Sequence, residues 1–171
     1  MGRTLILTGR PGIGKTTIIK AVARRLPDRV GGFYTEEILG PGGRKGFRLV
    51  TFDGRSAVMS HVEFNSRSKV GRYGVDVGVI DRIGAAAIRA AIERDPIVIV
   101  DEIGKMELFS SQFQSAVLKA VGSPKLLVAT AMLDQHPWVT ALKAMPNVTV
   151  WEITVKNRAA MIDRVLTWVA S

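Results

Sequence analysis

The chain has 171 residues, 47% of them hydrophobic and 23% charged, and this size and composition predict a single globular domain over residues 1–171. It contains no Cys and only two His, which excludes a disulfide framework, a thiolate zinc site, an iron–sulfur cluster and a cysteine nucleophile, and disfavours a histidine-built metal site. Residues 1–75 carry the whole net charge of +9, with 14 basic and 5 acidic side chains, which favours anionic partners, either phosphate-bearing small molecules or nucleic acid.

The chain lacks any apolar run near the roughly 18 residues that cross a bilayer, and its start lacks the plan of a secretory signal. We therefore expect a soluble, unprocessed protein with no membrane partner. The absence of Cys is compatible with the reducing cytoplasm, which is the expected location. The sequence carries no information on oligomeric state.

The start of the chain predicts the opening of a βαβ unit. Residues 4–8 form a short apolar, β-branched run that ends at Gly9, as in a buried strand. Over residues 15–26 the apolar side chains recur at helical spacing, and Pro27 ends the pattern.

The next part of the chain predicts a β-rich insert. Residues 33–35 and 47–52 resemble strands, and the turn formers at 40–43 separate them. We interpret residues from about 31 to 64 as an insert, most simply a β-hairpin. Residues 65–75 are interpreted as a polar loop.

The remainder predicts alternating helices and strands. The expected helices span 76–94, 109–121 and 157–169, a further one starts at His136-Pro137, and the expected strands span 97–100, 126–129 and 148–153. Continuous apolar runs such as 97–100 are typical of strands covered on both faces in a parallel sheet. The chain therefore predicts a three-layer α/β fold with a mostly parallel central sheet.

The strongest chemical motif follows the first strand. It is the segment Gly9-Arg10-Pro11-Gly12-Ile13-Gly14-Lys15-Thr16, which matches the phosphate-binding pattern G-x-x-x-x-G-K-[ST]. Glycines let successive N–H groups converge on phosphate oxygens, and the following helix presents its positive end to the same anion. Lys15 would then reach the β and γ phosphates, the Thr16 hydroxyl would bind Mg²⁺, and Thr17 would lie against the phosphate. The flanking strand and helix argue against an ordinary glycine-rich turn.

An acid pair, Asp101-Glu102, follows the apolar run 97–100. Ligands of doubly wound sheets bind at this end of the strands, so Asp101 is expected near Thr16, where it would bind Mg²⁺ directly or through water. Side chains alternate along a strand, so Glu102 would point elsewhere, toward a water that attacks the γ-phosphate. The alternative is a pair of solvated charges at a strand end.

Five further segments add to these motifs: Gly32-Phe33-Tyr34-Thr35-Glu36-Glu37-Ile38, Gly43-Arg44-Lys45-Gly46-Phe47, Val70-Gly71-Arg72-Tyr73-Gly74-Val75, Val100-Asp101-Glu102-Ile103-Gly104-Lys105-Met106-Glu107-Leu108 and Asn157-Arg158. With them the chain resembles, over nearly its whole length, the small P-loop nucleoside-triphosphatases first known from thermophiles, also called cancer-related nucleoside-triphosphatases. The resemblance implies a P-loop NTPase fold and slow, Mg²⁺-dependent hydrolysis of several nucleoside triphosphates. It also implies nucleotide contacts from residues 9–16 and from about 100–107, which include Gly104 and Lys105.

Phosphoryl transfer requires cations around the γ-phosphate. The candidates beyond Lys15 are Arg72, in a glycine-flanked loop that could cover the site, and Arg44, Arg48 and Lys105. Exposed surface positions for the three arginines, and a salt bridge for Lys105, remain the alternatives.

Six other polar side chains also require interpretation. Arg158 could stack on a nucleobase, while its neighbour Asn157 is expected to cap the last helix. The pair Glu36-Glu37 could orient water, although such acids, like Glu107, are more often solvated. Thr130 is either a strand-end residue or a contact of the γ-phosphate.

The motifs together predict an enzyme that hydrolyses ATP, GTP, CTP and UTP to diphosphate and phosphate with little base preference, with Mg²⁺ as cofactor. A nucleoside or nucleotide kinase would use the same loop, but it needs an acceptor pocket and commonly an arginine-rich lid. Between residues 131 and 147 the only basic side chain is Lys143, which argues against such a lid there. The basic N-terminal part also leaves open a nucleotide-gated RNA- or partner-binding switch.

Overall fold

The computed structural model describes residues 2–171, which form one nine-stranded sheet with helices on both faces. The strands are β1 (Thr4–Gly9), β2 (Val30–Gly40), β3 (Gly43–Thr51), β4 (Ser56–His61), β5 (Lys69–Val70), β6 (Tyr73–Val75), β7 (Ile97–Ile103), β8 (Leu126–Met132) and β9 (Val148–Glu152). The helices are α1 (Lys15–Arg24), α2 (Val77–Val79), α3 (Ala86–Arg94), α4 (Ser111–Gly122), α5 (Pro137–Lys143) and α6 (Arg158–Ala170).

One half of the sheet is parallel, in the order β2-β7-β8-β1-β9. Every residue of β1 is buried, as are Ile97 to Val100 in β7. Helices α1 and α6 cover one face of this half through side chains such as Ile19 and Val165, and α3 and α4 cover the other through side chains such as Ile88 and Phe113. The predicted three-layer α/β fold is confirmed.

The other half of the sheet is antiparallel, in the order β5-β6-β4-β3-β2. The predicted insert belongs here, but it is not a separate hairpin, because its strands continue the central sheet and make that sheet mixed. The interpretation of residues 65–75 as a loop is wrong, since β5 and β6 lie within this segment. The outermost strand of this half is therefore β5. We refer to strands β3 to β6 with their turns as the inserted sheet.

The predicted helices lie within a few residues of the observed ones. The predicted helix over 76–94 is continuous but contains a π-helical segment, Ile80–Ala85, between α2 and α3. His136 begins α5 as predicted, since its ring accepts a hydrogen bond from the N–H of Trp138.

None of the helices within residues 2–171 combines the length and the apolar character required to span a bilayer.

Candidate functional site

The candidate site lies where β1, β7 and β8 end. These three strands are parallel neighbours, with β8 between the other two. Their carboxyl ends therefore meet at one edge of the sheet, which is the ligand-binding edge of open α/β folds. The glycine-rich loop follows β1, and the acid pair lies at the end of β7.

The glycine-rich loop has a backbone suited to binding an anion. Gly12 and Gly14 have φ angles of 82° and 112°, in the left-handed region that side chains disfavour. No side chain caps α1, and its first turn contains no acidic residue. The N–H groups and the positive end of the helix dipole therefore remain available to an anion.

Lys15 lies under this loop with only 8% of its surface exposed. Its Nζ donates to the carbonyl oxygen of Gly9 at 2.6 Å and lies 3.3 Å from Oε2 of Glu102. The ammonium group is thus positioned between the loop and the acid pair, where the outer phosphates of a bound nucleotide are expected.

Asp101 is fully buried and accepts hydrogen bonds from two hydroxyl groups. Thr16 Oγ1 donates to Oδ2 at 2.9 Å, and Thr130 Oγ1 donates to Oδ1 at 2.6 Å. The N–H of Thr35, in the neighbouring strand β2, lies 3.4 Å from Oδ2. Burial raises the pKa of the Asp101 carboxyl, while the hydroxyl hydrogen bonds oppose this rise.

Two further carboxyl groups converge near Gly104. A Cβ at that position would lie 2.9 Å from Oε1 of Glu102 and 3.1 Å from Oε1 of Glu107, so glycine leaves room for both. The peptide bond between Asp101 and Glu102 is cis. The expectation that Glu107 is solvated is wrong, since only 4% of its surface is exposed. Burial, followed by the negative charge of Glu102, raises the pKa of Glu107 well above its usual value.

Two lysines beside the acid pair have different environments. Lys105 is exposed and forms an ion pair with Asp134 at 3.0 Å, so it takes part in a salt bridge, one of the two roles that the sequence left open for it. Lys143 donates to the carbonyl oxygen of Met132 at 3.4 Å. Burial lowers the pKa of Lys143, and the nearby charge of Lys15 lowers it further.

The inserted sheet contributes a polar and aromatic cluster. Arg44 Nε donates to the phenolic oxygen of Tyr73 at 3.0 Å, and its guanidinium lies 3.3 Å from a carboxylate oxygen of Glu37. Arg72 donates to the same phenolic oxygen at 3.3 Å. These hydrogen bonds lower the pKa of Tyr73. Phe47 packs edge-on against the Tyr73 ring, with ring centres 5.8 Å apart.

A cavity of about 560 Å³ joins these parts. The glycine-rich loop, the start of α1, the end of β7, residues 132–134 and the inserted sheet line it. Arg44 and Lys105 are among its lining residues, whereas Arg48, Arg72 and Arg158 are not.

Arg158 is exposed at the start of α6. The strand that precedes it, β9, is a parallel neighbour of β1, so Arg158 lies at the same edge of the sheet as the loop. The side chain of Asn157 does not cap α6, contrary to expectation. It instead closes the preceding turn, accepting from the N–H of Thr154 and donating to the carbonyl oxygen of Glu152.

Three residues of the site were not among the candidates from the sequence: Thr35, Asp134 and Lys143, the last of which was considered only in the argument against a lid. Asp134 follows β8, so the rule that ligands bind beyond the carboxyl ends of parallel strands could have found it. Thr35 and Lys143 carry no such local signal, because their proximity to Asp101 and Lys15 depends on strand order and on the position of α5.

A glycine-rich strand-to-helix loop facing a buried acid at the carboxyl edge of a parallel sheet defines the P-loop NTPase fold. A family model described as NTPase matches residues 4–166. The chain belongs to this nucleoside-triphosphatase family and is accordingly an enzyme of the hydrolase class, which confirms the resemblance identified in the sequence.

Individual relatives match almost end to end. Nucleoside-triphosphatase THEP1 of Thermotoga sp. (strain RQ2) is 38% identical over 163 residues, which cover 95% of this chain and 93% of that protein. The crystal structure of THEP1 from the hyperthermophile Aquifex aeolicus matches with a TM-score of 0.88 and 34% identity, over 98% of this chain and 99% of that one. The solution structure of a human cancer-related nucleoside triphosphatase matches with a TM-score of 0.84 and 32% identity, over 98% and 97% of the two chains.

Proposed function

We propose that this protein hydrolyses nucleoside 5′-triphosphates to diphosphate and phosphate with Mg²⁺, and that Glu102 activates the attacking water. The observation that supports this is a pair of contacts that joins the first two residues of α1 to the two acids at the end of β7. Lys15 pairs with Glu102 at 3.3 Å, and Thr16 donates to Asp101 at 2.9 Å. Family membership and the names of the relatives support the same substrate class.

The donor set at Thr16 and Asp101 fits Mg²⁺. This cation prefers oxygen ligands and usually binds through one or two carboxylates together with substrate phosphates and water. Asp101 is a buried carboxyl whose hydrogen-bond partners are neutral, so a cation there would favour its charged form. When bound, Mg²⁺ would neutralise charge on the β and γ phosphates.

The hydrolytic step is assigned to Glu102. Its carboxylate lies beside Lys15, on the side of the loop where the γ-phosphate is expected. A phosphate that draws Lys15 to itself would free Glu102 to accept a proton from water. The water oxygen then bonds to the γ-phosphorus as the bond between that phosphorus and the β,γ-bridging oxygen breaks. The nucleoside diphosphate leaves with the electron pair of the broken bond. A general base of this kind contributes about 10²- to 10⁴-fold in rate.

Base preference is expected to be weak. The glycine-rich loop would contact only the triphosphate, which all four common nucleotides share. Arg158, exposed at the same edge of the sheet, is proposed to stack on whichever base is bound. Stacking of this kind tolerates any base, because every base has a π face.

The test is phosphate release from ATP, GTP, CTP and UTP, with Mg²⁺ and with a chelator. We expect comparable rates for the four nucleotides and loss of activity with the chelator. Glu102→Gln should retain nucleotide binding but lower kcat by about 10²- to 10⁴-fold, and Lys15→Ala should weaken both binding and turnover. Exposed Glu63→Gln and Lys119→Ala are the matched controls. Full turnover in Glu102→Gln would refute the assignment of the base.

A further inference from the structure

The cavity in front of the loop extends beyond the residues assigned to the phosphates and Mg²⁺. Its far wall is formed by the inserted sheet and the neighbouring end of β2, through Glu37, Arg44, Phe47, Met59, Val70 and Tyr73. A triphosphate is hydrophilic and gains nothing from a wall of aromatic and thioether side chains.

The position of this wall relative to the phosphates follows from strand order, and it rests on the proposed function. Lys15, Thr16 and Asp101 place the β and γ phosphates between β1 and β7. The inserted sheet lies on the far side of β7 from β1, across β2. It therefore lies on the far side of the phosphates from β1, and an acceptor bound against it would face them. In-line transfer requires an attacking group opposite the leaving oxygen.

The far wall has the chemistry of a site for a flat aromatic ring. Phe47 and Tyr73 meet at an interplanar angle of 63°. The Arg44 guanidinium lies over both rings, 4.8 Å from the centre of Phe47 and 5.5 Å from that of Tyr73, so a planar ligand would pack against this combined surface. Val70, in the same wall, and Met106, after β7, add apolar surface to the cavity. Ligand sites of this kind combine such surfaces with a few polar groups that determine orientation.

Those polar groups are Arg44, Glu37 and the phenolic oxygen of Tyr73, which already contact one another. Arg44 is paired with a carboxylate, so its charge is partly compensated. Nearer the loop, Glu102 and Glu107 line the cavity. The Glu102 carboxylate would repel an acceptor phosphate, whereas it readily accepts the proton of a hydroxyl group.

We propose that this far wall is an acceptor subsite for a nucleoside, and that the enzyme transfers the γ-phosphoryl group to a nucleoside hydroxyl. The hydroxyl oxygen bonds to the γ-phosphorus, and the bond to the β,γ-bridging oxygen breaks. The electron pair of that bond leaves with the nucleoside diphosphate, and the hydroxyl proton passes to the Glu102 carboxylate. Hydrolysis is the same reaction with water in the place of the acceptor.

The experiment supplies γ-labelled ATP and Mg²⁺ with adenosine, guanosine, cytidine, uridine or thymidine, and in parallel with their 5′-monophosphates. We expect label in a nucleoside monophosphate from at least one nucleoside, formed faster than label is released to water. Normal hydrolysis without label in any nucleoside product would overturn the subsite and leave the proposed hydrolysis intact. Label transferred only to monophosphates would overturn the hydroxyl acceptor.

Direct binding separates the acceptor subsite from the site of the triphosphate's own base. Titration of the accepted nucleoside into protein saturated with Mg²⁺ and a non-hydrolysable ATP analogue should show saturable binding. Competition between the nucleoside and the analogue would mean that the far wall binds the base of ATP, and would overturn the proposal.

Phe47→Ala tests the wall itself. Loss of an aromatic stacking surface should raise KM for the nucleoside about tenfold or more. Leu39→Ala is the matched control, since Leu39 is 71% exposed on β2 and does not line the cavity. Tyr73→Phe keeps the ring and removes only the hydroxyl group. It is the second variant of this wall, to be used if Phe47→Ala does not fold. An equal loss of transfer and hydrolysis in both variants would overturn the assignment.

Discussion

Glu107 is buried beside Glu102, with only 4% of its surface exposed. Burial is the main cause of the raised pKa of its carboxyl group. A raised pKa means that the folded protein binds the proton more tightly than the unfolded chain does. Its stabilising contribution is therefore complete below the ordinary value of 4.5 and is lost as pH rises through the higher folded value.

The variant Glu107→Gln should therefore gain stability relative to the parent protein as pH rises above 4.5. Glutamine resembles the protonated carboxyl and does not ionise, so it avoids the cost of a buried charge. The measurement is the Tm of both proteins without nucleotide from pH 4 to 8. Glu63→Gln makes the same change at an exposed position. A constant difference between parent and Glu107→Gln across this range would contradict the prediction.

Individual site residues were predictable where the motif is local. The loop from Gly9 to Thr16 and the pair Asp101-Glu102 are contiguous segments with a recognisable pattern. The hydrogen bond from Thr130 to Asp101 is not local, because it depends on the adjacency of β7 and β8. The burial of Glu107 likewise depends on packing around the end of β7, and nothing in its flanking residues indicates it.

At the scale of elements, the pairing of β2 with β7 depends on a glycine. Gly32 lies opposite Ile99 with a φ of 103°, and a Cβ there would lie 2.0 Å from the Ile99 carbonyl oxygen. Gly32→Ala should lower the free energy of unfolding by more than about 1 kcal/mol, because both the backbone angle and the close approach exclude the methyl group. Gly122→Ala, at the end of α4 where a Cβ meets no atom, should be neutral or slightly stabilising. Urea denaturation measures both, and equal effects would contradict the argument.

The parallel strands were predictable and the shortest antiparallel ones were not. A run such as Ile97 to Val100 is apolar throughout because both faces of the strand are covered. The strands β5 and β6 have two and three residues, which is too short for any alternation to show. They exist through pairing with each other and with β4, which the local sequence does not encode.

At the scale of the whole molecule, Mg²⁺ and nucleotide are expected to bind together. Within residues 2–171 no group of three or more His, Asp or Glu side chains is arranged to bind a metal ion. Asp101 and Thr16 alone offer one carboxylate and one hydroxyl, so the remaining ligands must come from phosphate and water. The ion should therefore bind weakly alone and well with a triphosphate.

Thermal unfolding with Mg²⁺, with a non-hydrolysable ATP analogue and with both measures this coupling. At 100 times the Kd, the pair should stabilise the fold by about 2.7 kcal/mol, or roughly 5 to 10 °C for a chain of this size, while Mg²⁺ alone should change Tm little. Asp101→Asn should remove the gain that Mg²⁺ adds to the analogue, whereas exposed Asp53→Asn should not. If Mg²⁺ alone raised Tm as far as the pair did, the protein would supply a complete metal site by itself, and the shared site at Thr16 and Asp101 would be wrong.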